Sequence, residues 1–367
     1  MPGWRGWLLR RLVVAPLMPL LALLAAAMWA LTLLGSAVVC PLLALLRGDA
    51  PRWRLLRAVS FAVLYLVGET LCLLVCLVLW LTSGAGRGIR AGPFVRAHRA
   101  LLGCFLGLLV AAARPIFGFR LIVEEPARHP EDLRRAQGAA PVLVLARHAG
   151  PGASFALVHL LLTRYHRHPR VVLKEQLRLD PAVDVLLTRT GCTWVRSGPG
   201  TGDAAVVQVE QAAAGLQPRH VLVLFPEGAD WTPVRHLQAV ARLRGRGMLR
   251  EAQAALRMPH VLPPRPAGTV AALQAAPDAD VLVFTHCGHD ELLDAASAWQ
   301  ALPLQRPLQM AWWRAVSRDV PHDDAKAAGE WLQQTWADVD AWVCEQQDLA
   351  RLGVTGGWRD AAEAGER

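Results

Sequence analysis

The sequence predicts an α/β domain with a mostly parallel central sheet, flanked by helices and preceded by a transmembrane hairpin. Three observations support this prediction. Two long apolar runs stand near the N-terminus, and short runs rich in Val and Leu follow them. Stretches with helical periodicity separate the short runs. Strands that alternate with helices favour a parallel sheet covered by helices.

The two N-terminal runs are long enough to cross a membrane. Positions 12–46 carry no charged residue, and Glu69 is the only charged residue at positions 58–82. About 20 apolar residues suffice to cross a bilayer. A secretory signal peptide has a shorter apolar core that soluble sequence follows, whereas here a second apolar run follows the first. We therefore predict a membrane anchor over residues 1–94, with these two runs as its spans.

Glu69 is unusual for its position inside a predicted span. Ionisable residues are costly in a bilayer and often have a function there. Glu69 is therefore a candidate functional residue or, equally, the partner of a polar group in the first span.

The distribution of arginines predicts how the hairpin is oriented. Its two outer flanks together carry more arginines than its connecting loop, and cytoplasmic flanks are enriched in Arg and Lys. The flanking residues are Arg5, Arg10, Arg11, Arg87, Arg90, Arg96 and Arg99, and those of the loop are Arg47, Arg52, Arg54 and Arg57. Both termini, and the domain that follows the hairpin, are therefore expected in the cytoplasm.

The chain is basic, with a formal net charge of +9. Such a charge suits nucleic acid or anionic lipid, but a membrane-anchored protein already has an anionic surface beside it. We expect a phospholipid membrane, and no nucleic acid, as the partner. The seven cysteines form no Cys-x-x-Cys pair, so neither a metal site nor a disulfide framework is expected.

Residues 95–350 are predicted to form the α/β domain, and residues 351–367 a disordered tail. The uncharged stretch within residues 100–119 is too short to span a membrane, so we expect an interfacial or core helix that ends near Pro115. Apolar runs typical of buried strands lie at 142–146, 170–174, 193–196, 220–225 and 280–286. Helical periodicity is found at 154–165, 203–216, 235–257 and 324–346.

Two segments follow predicted strands with turns and polar side chains. His148 comes after the run at 142–146, within RHAGPGAS, and Glu227 comes after the run at 220–225, within LFPEGADW. Open α/β sheets bind ligands at the carboxyl ends of their strands. If the two strands are parallel, both segments lie at one edge of the sheet. By position alone, His148 is as well explained by a structural role in the turn.

Four segments together resemble the glycerolipid acyltransferase family, which esterifies lysophosphatidic acid and related lysophospholipids. That family has a His followed by four residues and an Asp, a Lys-rich second block, a Phe-Pro-Glu-Gly block and a Pro-containing fourth block. The corresponding segments here are RHAGPGAS, KEQLRLDPAVDVLLTRTGCTWVRS, FPEGADWT and HVLPPRPAG. The last two are most similar to the branch that contains the lysocardiolipin and endoplasmic-reticulum lysophosphatidate acyltransferases. Order and spacing agree over residues 95–345.

The resemblance implies acyl transfer from a thioester of coenzyme A or acyl carrier protein to the hydroxyl of a lysophospholipid, with phosphatidic acid as the expected product. His148 takes the place of the general base, and neither a cofactor nor a metal is implied. The positions that match the substrate-binding blocks are Lys174, Arg196, Phe225, Pro226, Glu227, Gly228, Pro264 and Arg265. In the commoner form of the family, an Arg that meets the acceptor phosphate follows the Glu-Gly pair, and here Asp230 stands at that place.

The Asp of the first block should fall at position 153, where this chain has Ala153. An alanine cannot hold an imidazole in one tautomer, and neutralising the orienting Asp of a serine protease costs about 10⁴-fold in rate. Three interpretations stay open. Another carboxylate, such as Asp180, Asp184 or Asp230, replaces it; the chain is an inactive or weakened homologue that binds lipid in a regulatory role; or the Asp was replaced deliberately.

His286, His289 and Asp290 stand close together in FTHCGHDELLD. Their spacing is not that of a zinc site, which needs His-x-x-x-His or a cysteine set with a fourth ligand. We expect these residues in a loop and at the start of a helix.

Overall fold

The structure is a computed structural model of the chain. It describes residues 4–47, 53–124, 138, 140–150, 152–196, 200–315 and 317–352. All but the first two residues of the predicted tail lie outside this part of the chain. The boundaries between anchor, domain and tail stay predictions.

The N-terminal part of the chain is helical. Its elements are α1 (Trp4–Leu9), a π-helical turn (Arg10–Val14), α2 (Ala15–Arg47), α3 (Arg54–Thr82) and α4 (Gly92–Phe117). In the part of the chain that the structure describes, three segments are long and apolar enough to cross a membrane: Arg10–Leu46, Arg54–Thr82 and Gly92–Phe117. The first two contain the predicted spans. The third corrects the prediction of a helix too short to span, because α4 begins well before the uncharged stretch, with Pro93 in its first turn.

The described residues contain seven strands, which form a single sheet with the order β1-β7-β6-β2-β5-β3-β4. The strands are β1 (Leu121–Glu124), β2 (Val142–Ala146), β3 (His168–Lys174), β4 (Thr193–Val195), β5 (His220–Leu224), β6 (Asp280–Cys287) and β7 (Leu308–Ala315). All neighbours pair in parallel except β6 and β7, which are antiparallel. The predicted mostly parallel sheet is confirmed.

Helices cover both faces of the sheet. They are α5 (Ala153–Thr163), α6 (Pro181–Thr190), α7 (Gly202–Ala214), α8 (Pro233–Gly245), α9 (Leu249–Leu256), α10 (Pro266–Ala275), α11 (Ala295–Ala301) and α12 (Ala325–Arg351). Val142 and Val144 pack towards α5, whereas Leu143 and Leu145 pack towards α7, α10 and α12. β2 and β5 are buried along their whole length because both of their faces are covered.

The five predicted strands correspond to β2–β6, and β1 and β7 were not predicted. Polar residues interrupt β7 at Gln309 and Arg314, so this strand lacks the continuous apolar run of a fully buried one. The single helix predicted at 235–257 is divided into α8 and α9. Gly247, between them, has a φ of 74°, a conformation that glycine adopts readily and that ends a helix.

Helix α3 lies along the α/β domain. Its first residue, Arg54, donates hydrogen bonds of 2.8 and 3.1 Å to backbone carbonyls of the segment before β7. Further along, Tyr65 bonds to Asp180, the N-cap of α6, and the carbonyl of Cys76 accepts a 2.9 Å bond from Arg189. At 1.5 Å per residue the contacts cover about 33 Å of helix, close to the thickness of a bilayer core, about 30 Å. The two-span topology stays a prediction.

Buried carboxylates connect the anchor to α6. Glu69 accepts a hydrogen bond of 3.4 Å from a backbone amide in the first turn of α6, so this partner belongs to the α/β domain and not to the first span. Asp184, whose side chain is fully buried, accepts bonds of 3.1 Å from Arg10, 3.1 Å from Arg11 and 2.8 Å from Arg178. One carboxylate thus joins the start of the anchor to the domain.

Asp184→Asn is expected to lower the free energy of unfolding by about 3–5 kcal/mol, because three guanidinium groups lose the buried charge that they share. Thermal unfolding of the detergent-solubilised protein measures this loss. Asp338→Asn, the same change at an exposed position of α12, is the control. Equal melting temperatures for the two variants would contradict the assigned role of Asp184.

Candidate active site

His148 and Glu227 lie at the same edge of the sheet. β2 and β5 are adjacent and parallel, with Leu145 opposite Leu224, so their carboxyl ends meet. The chain leaves β2 for β3 on one side and leaves β5 for β6 on the other. In α/β sheets, ligands bind at a reversal of this kind. The side chain of His148 is 27% exposed at this point.

Glu227 is buried and joins two loops at this edge. Its Oε1 accepts a hydrogen bond of 2.9 Å from the backbone N–H of His148, and its Oε2 accepts one of 2.9 Å from that of Leu262. Burial raises the pKa of the carboxyl to about 7, although Arg147 and the two amides oppose the increase. Because backbone amides engage both oxygens, Glu227 acts on the site by positioning His148 and the segment that leads to Arg265.

The imidazole of His148 has a carboxylate partner. Its Nδ1 lies 2.9 Å from Oδ1 of Asp230, and its ring packs against Phe225 with 4.6 Å between the ring centroids. Burial alone would raise the pKa of Asp230, but its hydrogen bond with His148 and the positive charges of His148, Arg235 and Lys174 hold that pKa below its ordinary value. Asp230 is therefore a carboxylate stabilised in its charged form.

Ala153 lies away from solvent. It is the first residue of α5, is 3% exposed and packs in the apolar core. Of the three carboxylates considered as substitutes for the missing Asp, Asp180 caps α6 and Asp184 binds the anchor arginines. Asp230 is the one hydrogen-bonded to His148.

The basic residues predicted to bind substrate have different surroundings. Arg265 packs over Gly228, and its guanidinium carbon is 3.2 Å from the point where a Cβ of residue 228 would be. Gly228 also has a φ of 69°, a conformation that glycine adopts readily. A side chain at this position would therefore strain the backbone and crowd Arg265. Lys174 is exposed at the end of β3, whereas Arg196 pairs with Glu175 at 3.3 Å.

Residues 124–264 match the family model described as Acyltransferase. The chain contains an acyltransferase domain. The match encloses His148, Glu227 and Asp230 and ends one residue before Arg265. No match was found among curated proteins or among solved structures. Such a domain, together with helices apolar enough to enter a membrane, supports acyl transfer to a lipid in general terms.

A buried cation, Arg147, supports the edge of the sheet that carries His148. Arg147, directly before His148, donates 2.6 Å hydrogen bonds to Oδ1 of Asp290 and to the carbonyl oxygen of His260. It also lies over the ring of Trp231, at 5.8 Å from the centroid. This role of Arg147 was not predicted from the sequence. Its position next to His148 in RHAGPGAS was the available signal.

The group at 286–290 belongs to this support. His286 donates a hydrogen bond of 3.1 Å from Nε2 to the carbonyl of Arg147, and Asp290 forms the ion pair with the Arg147 guanidinium. Burial, together with the charge of Arg147, lowers the pKa of His286 to about 3, so the ring is neutral at ordinary pH. Among the described residues, no group of three or more His, Cys, Asp and Glu side chains is arranged to hold a metal.

Glu227→Gln is expected to reduce the dependence of stability on pH. The folded carboxyl has a pKa near 7 against an ordinary value of 4.5, so the folded state holds the proton more tightly. This contribution to stability is present below about pH 4.5 and is lost as the pH rises to about 7. Melting temperatures of both proteins between pH 4.5 and 8 test this contribution. The wild type is expected to lose more stability over this range than the variant.

The direct cost of Glu227→Gln is about 1–3 kcal/mol, because one buried N–H loses its acceptor. Glu227→Ala removes both acceptors and is expected to cost more. Asp338→Asn serves as the control and should keep the wild-type dependence on pH. A Glu227→Gln variant with that same dependence would show that Glu227 does not titrate as assigned.

Proposed function

We propose that this protein transfers a fatty acyl group from an acyl thioester to the free hydroxyl of a lysophospholipid, with lysophosphatidic acid as the first acceptor to test. His148 is the general base. The position of His148 carries this proposal: it is partly exposed at the carboxyl end of a central strand, inside the acyltransferase domain. The neighbouring turn at Glu227 and Gly228 and the side chain of Arg265 complete the site.

The chemistry requires one group that accepts and then returns a proton. The imidazole takes the proton of the acceptor hydroxyl while the oxygen attacks the thioester carbonyl. The C–O bond forms, the C–S bond breaks, and the departing thiolate receives the proton from the imidazolium. No cofactor is needed beyond the thioester itself, whether it is carried by coenzyme A or by acyl carrier protein.

A phosphate on the acceptor fits the charges at the edge of the sheet. Arg265 is exposed and lies on Gly228, in the turn after β5. Lys174 is exposed at the carboxyl end of β3, at the same edge of the sheet. Guanidinium and ammonium groups bind phosphate through charge-assisted hydrogen bonds. Arg196 is already paired with Glu175, so we rank it behind Arg265 and Lys174.

The membrane supplies and receives the lipid in this proposal. Helix α2 exposes leucines along its length, and the arginine distribution of the sequence favours a cytoplasmic domain. Val234 and Leu237 are exposed on α8, near the exposed Arg242 and Arg244. Apolar and basic side chains on one helix suit an anionic lipid surface. The similarity to the lysocardiolipin and lysophosphatidate branch makes lysocardiolipin the second acceptor to test.

His148→Ala is expected to lower the rate of acyl transfer by about 10²-fold or more, since general base catalysis contributes about 10²–10⁴-fold. The assay uses purified protein in phospholipid vesicles with oleoyl-CoA or oleoyl-acyl carrier protein and lysophosphatidic acid, and the diacyl product is measured by mass. His166→Ala, at an exposed position, is the control.

Absence of transfer by the wild type with either thioester and any lysophospholipid would overturn the proposal. Lysophospholipid binding without turnover would then identify a lipid-binding or regulatory protein on the same fold. Buried Ala153 at the family's Asp position is the observation that favours this second candidate.

Arg265→Ala is expected to raise the KM for lysophosphatidic acid by about tenfold, which corresponds to the loss of roughly 1.4 kcal/mol of phosphate binding. The KM for neutral monoacylglycerol should change by less, because that acceptor has no phosphate. Steady-state kinetics with both acceptors measures the difference. Equal effects on the two acceptors would argue against a phosphate contact.

A further inference from the structure

Position 153 has no carboxylate, but the imidazole of His148 has a carboxylate partner elsewhere. Ala153 is buried in the core at the start of α5. Nδ1 of His148 is instead 2.9 Å from Oδ1 of Asp230, a residue of a different loop and a different sequence block. The two residues come from the turns after the adjacent strands β2 and β5.

The backbone holds these two turns together independently of the side chains. The N–H of Trp231 donates a hydrogen bond of 2.6 Å to the carbonyl of His148, and Ala149 forms a parallel bridge with Trp231. Asp230 is therefore placed beside the imidazole by its neighbours in the chain. On its other side, Arg235 donates a 3.1 Å bond to the backbone oxygen of Asp230 and lies 3.9 Å from Oδ2.

We propose that Asp230 is the positioning residue for His148 and takes over the role of the Asp that is replaced by Ala153. This inference rests on the proposed function, because it assigns a part in the same reaction. With Oδ1 of Asp230 accepting the Nδ1–H, the neutral ring leaves Nε2 free to take the proton of the acceptor hydroxyl. The imidazolium that forms in this step is stabilised by the carboxylate beside it.

A positioning role differs from that of an ordinary surface ion pair. The side chain of Asp230 is 49% exposed, and ion pairs with that exposure contribute little to stability. Removing the charge should therefore leave the melting temperature nearly unchanged while it lowers the rate. A residue that only supports the fold would show the opposite result.

The position of Asp230 also affects where the acceptor phosphate binds. The residue stands where the commoner form of the family has an Arg, so a carboxylate now occupies the place of a phosphate ligand. Like charges repel, and the phosphate is therefore expected on the side of Arg265, with the hydroxyl towards His148. With Asp230 in place of the Arg, the acceptor site has one cation fewer, and His148 gains a carboxylate partner.

Asp230→Asn tests the proposal kinetically. We expect a fall in kcat of about 10²–10⁴-fold, by comparison with the loss of about 10⁴-fold in a serine protease with a neutralised Asp. The KM for lysophosphatidic acid should change less than about threefold and the melting temperature should stay within the error of the control, Asp338→Asn. A kcat within about threefold of the wild type would overturn the proposal.

Ala153→Asp tests the same point from the other position. With Asp230 present, Nδ1 already has its carboxylate, so we expect no large gain in kcat. An increase of about tenfold or more would show that Asp230 does not serve the base, and it would equally count against the proposal.

A spectroscopic measurement separates this inference from the proposed function. In protein labelled with ¹⁵N-histidine, the neutral ring of His148, assigned by comparison with His148→Gln, should carry its proton on Nδ1. In Asp230→Ala the proton should move to Nε2, the form favoured without a partner. This result can be obtained even if no thioester is turned over, in which case the function fails and the pairing stands. An unchanged tautomer in Asp230→Ala would refute the pairing itself.

Discussion

The buried Glu227 carboxylate joins the loop that carries His148 to the segment that leads to Arg265. One oxygen holds the backbone of His148 and the other holds the backbone just before the Pro264–Arg265 segment. These segments are distant in the sequence, and backbone hydrogen bonds from Trp231 to His148 and from Arg265 to Pro226 hold both of them to the turn after β5. An unsatisfied backbone amide in a dry interior costs about 1–3 kcal/mol, so the two amides and the carboxylate need one another. Glu227 thus connects the loop of His148 to the segment that carries Arg265.

Charges at the site are arranged in two layers. The lower layer is buried and contains Arg147, Glu227 and Asp290, with His286 kept neutral by its burial and by the nearby guanidinium. The upper layer, His148 and Asp230, is partly exposed. Buried charges must be paired and hydrogen-bonded to be tolerated, and the lower layer meets this condition. The upper layer stays accessible from solvent.

The sequence was sufficient for those features that depend on periodicity and order. Continuous apolar runs predicted β2–β6, and the order of the blocks brought His148 and Glu227 to one edge once the strands were parallel. Strand β7 was missed because polar residues interrupt its apolar run, although it completes the sheet beside β6. Helix α4 was predicted as too short because its uncharged stretch is shorter than the helix that contains it.

The contacts of individual side chains could not be predicted from the sequence. Whether Asp180, Asp184 or Asp230 meets the imidazole depends on the direction of the turn after β5 and on its backbone pairing with the loop after β2. Spacing along the chain predicts neither the direction of this turn nor its backbone pairing. Similarly, the third block places Glu227 near an acceptor by resemblance, but only the fold shows that backbone amides occupy both of its oxygens.

The start of helix α3 lies at the same edge of the sheet as His148. Arg54 bonds to the segment just before β7, and β7 starts where β6 ends, at the carboxyl edge of the parallel strands. If the reaction is the one proposed and α3 spans the membrane, the site stands next to the bilayer, and the acceptor reaches it by lateral diffusion in two dimensions. The concentration that governs turnover is then the mole fraction of acceptor in the membrane surface. Adding inert lipid slows the enzyme by surface dilution even when the total amount of acceptor in the sample is constant.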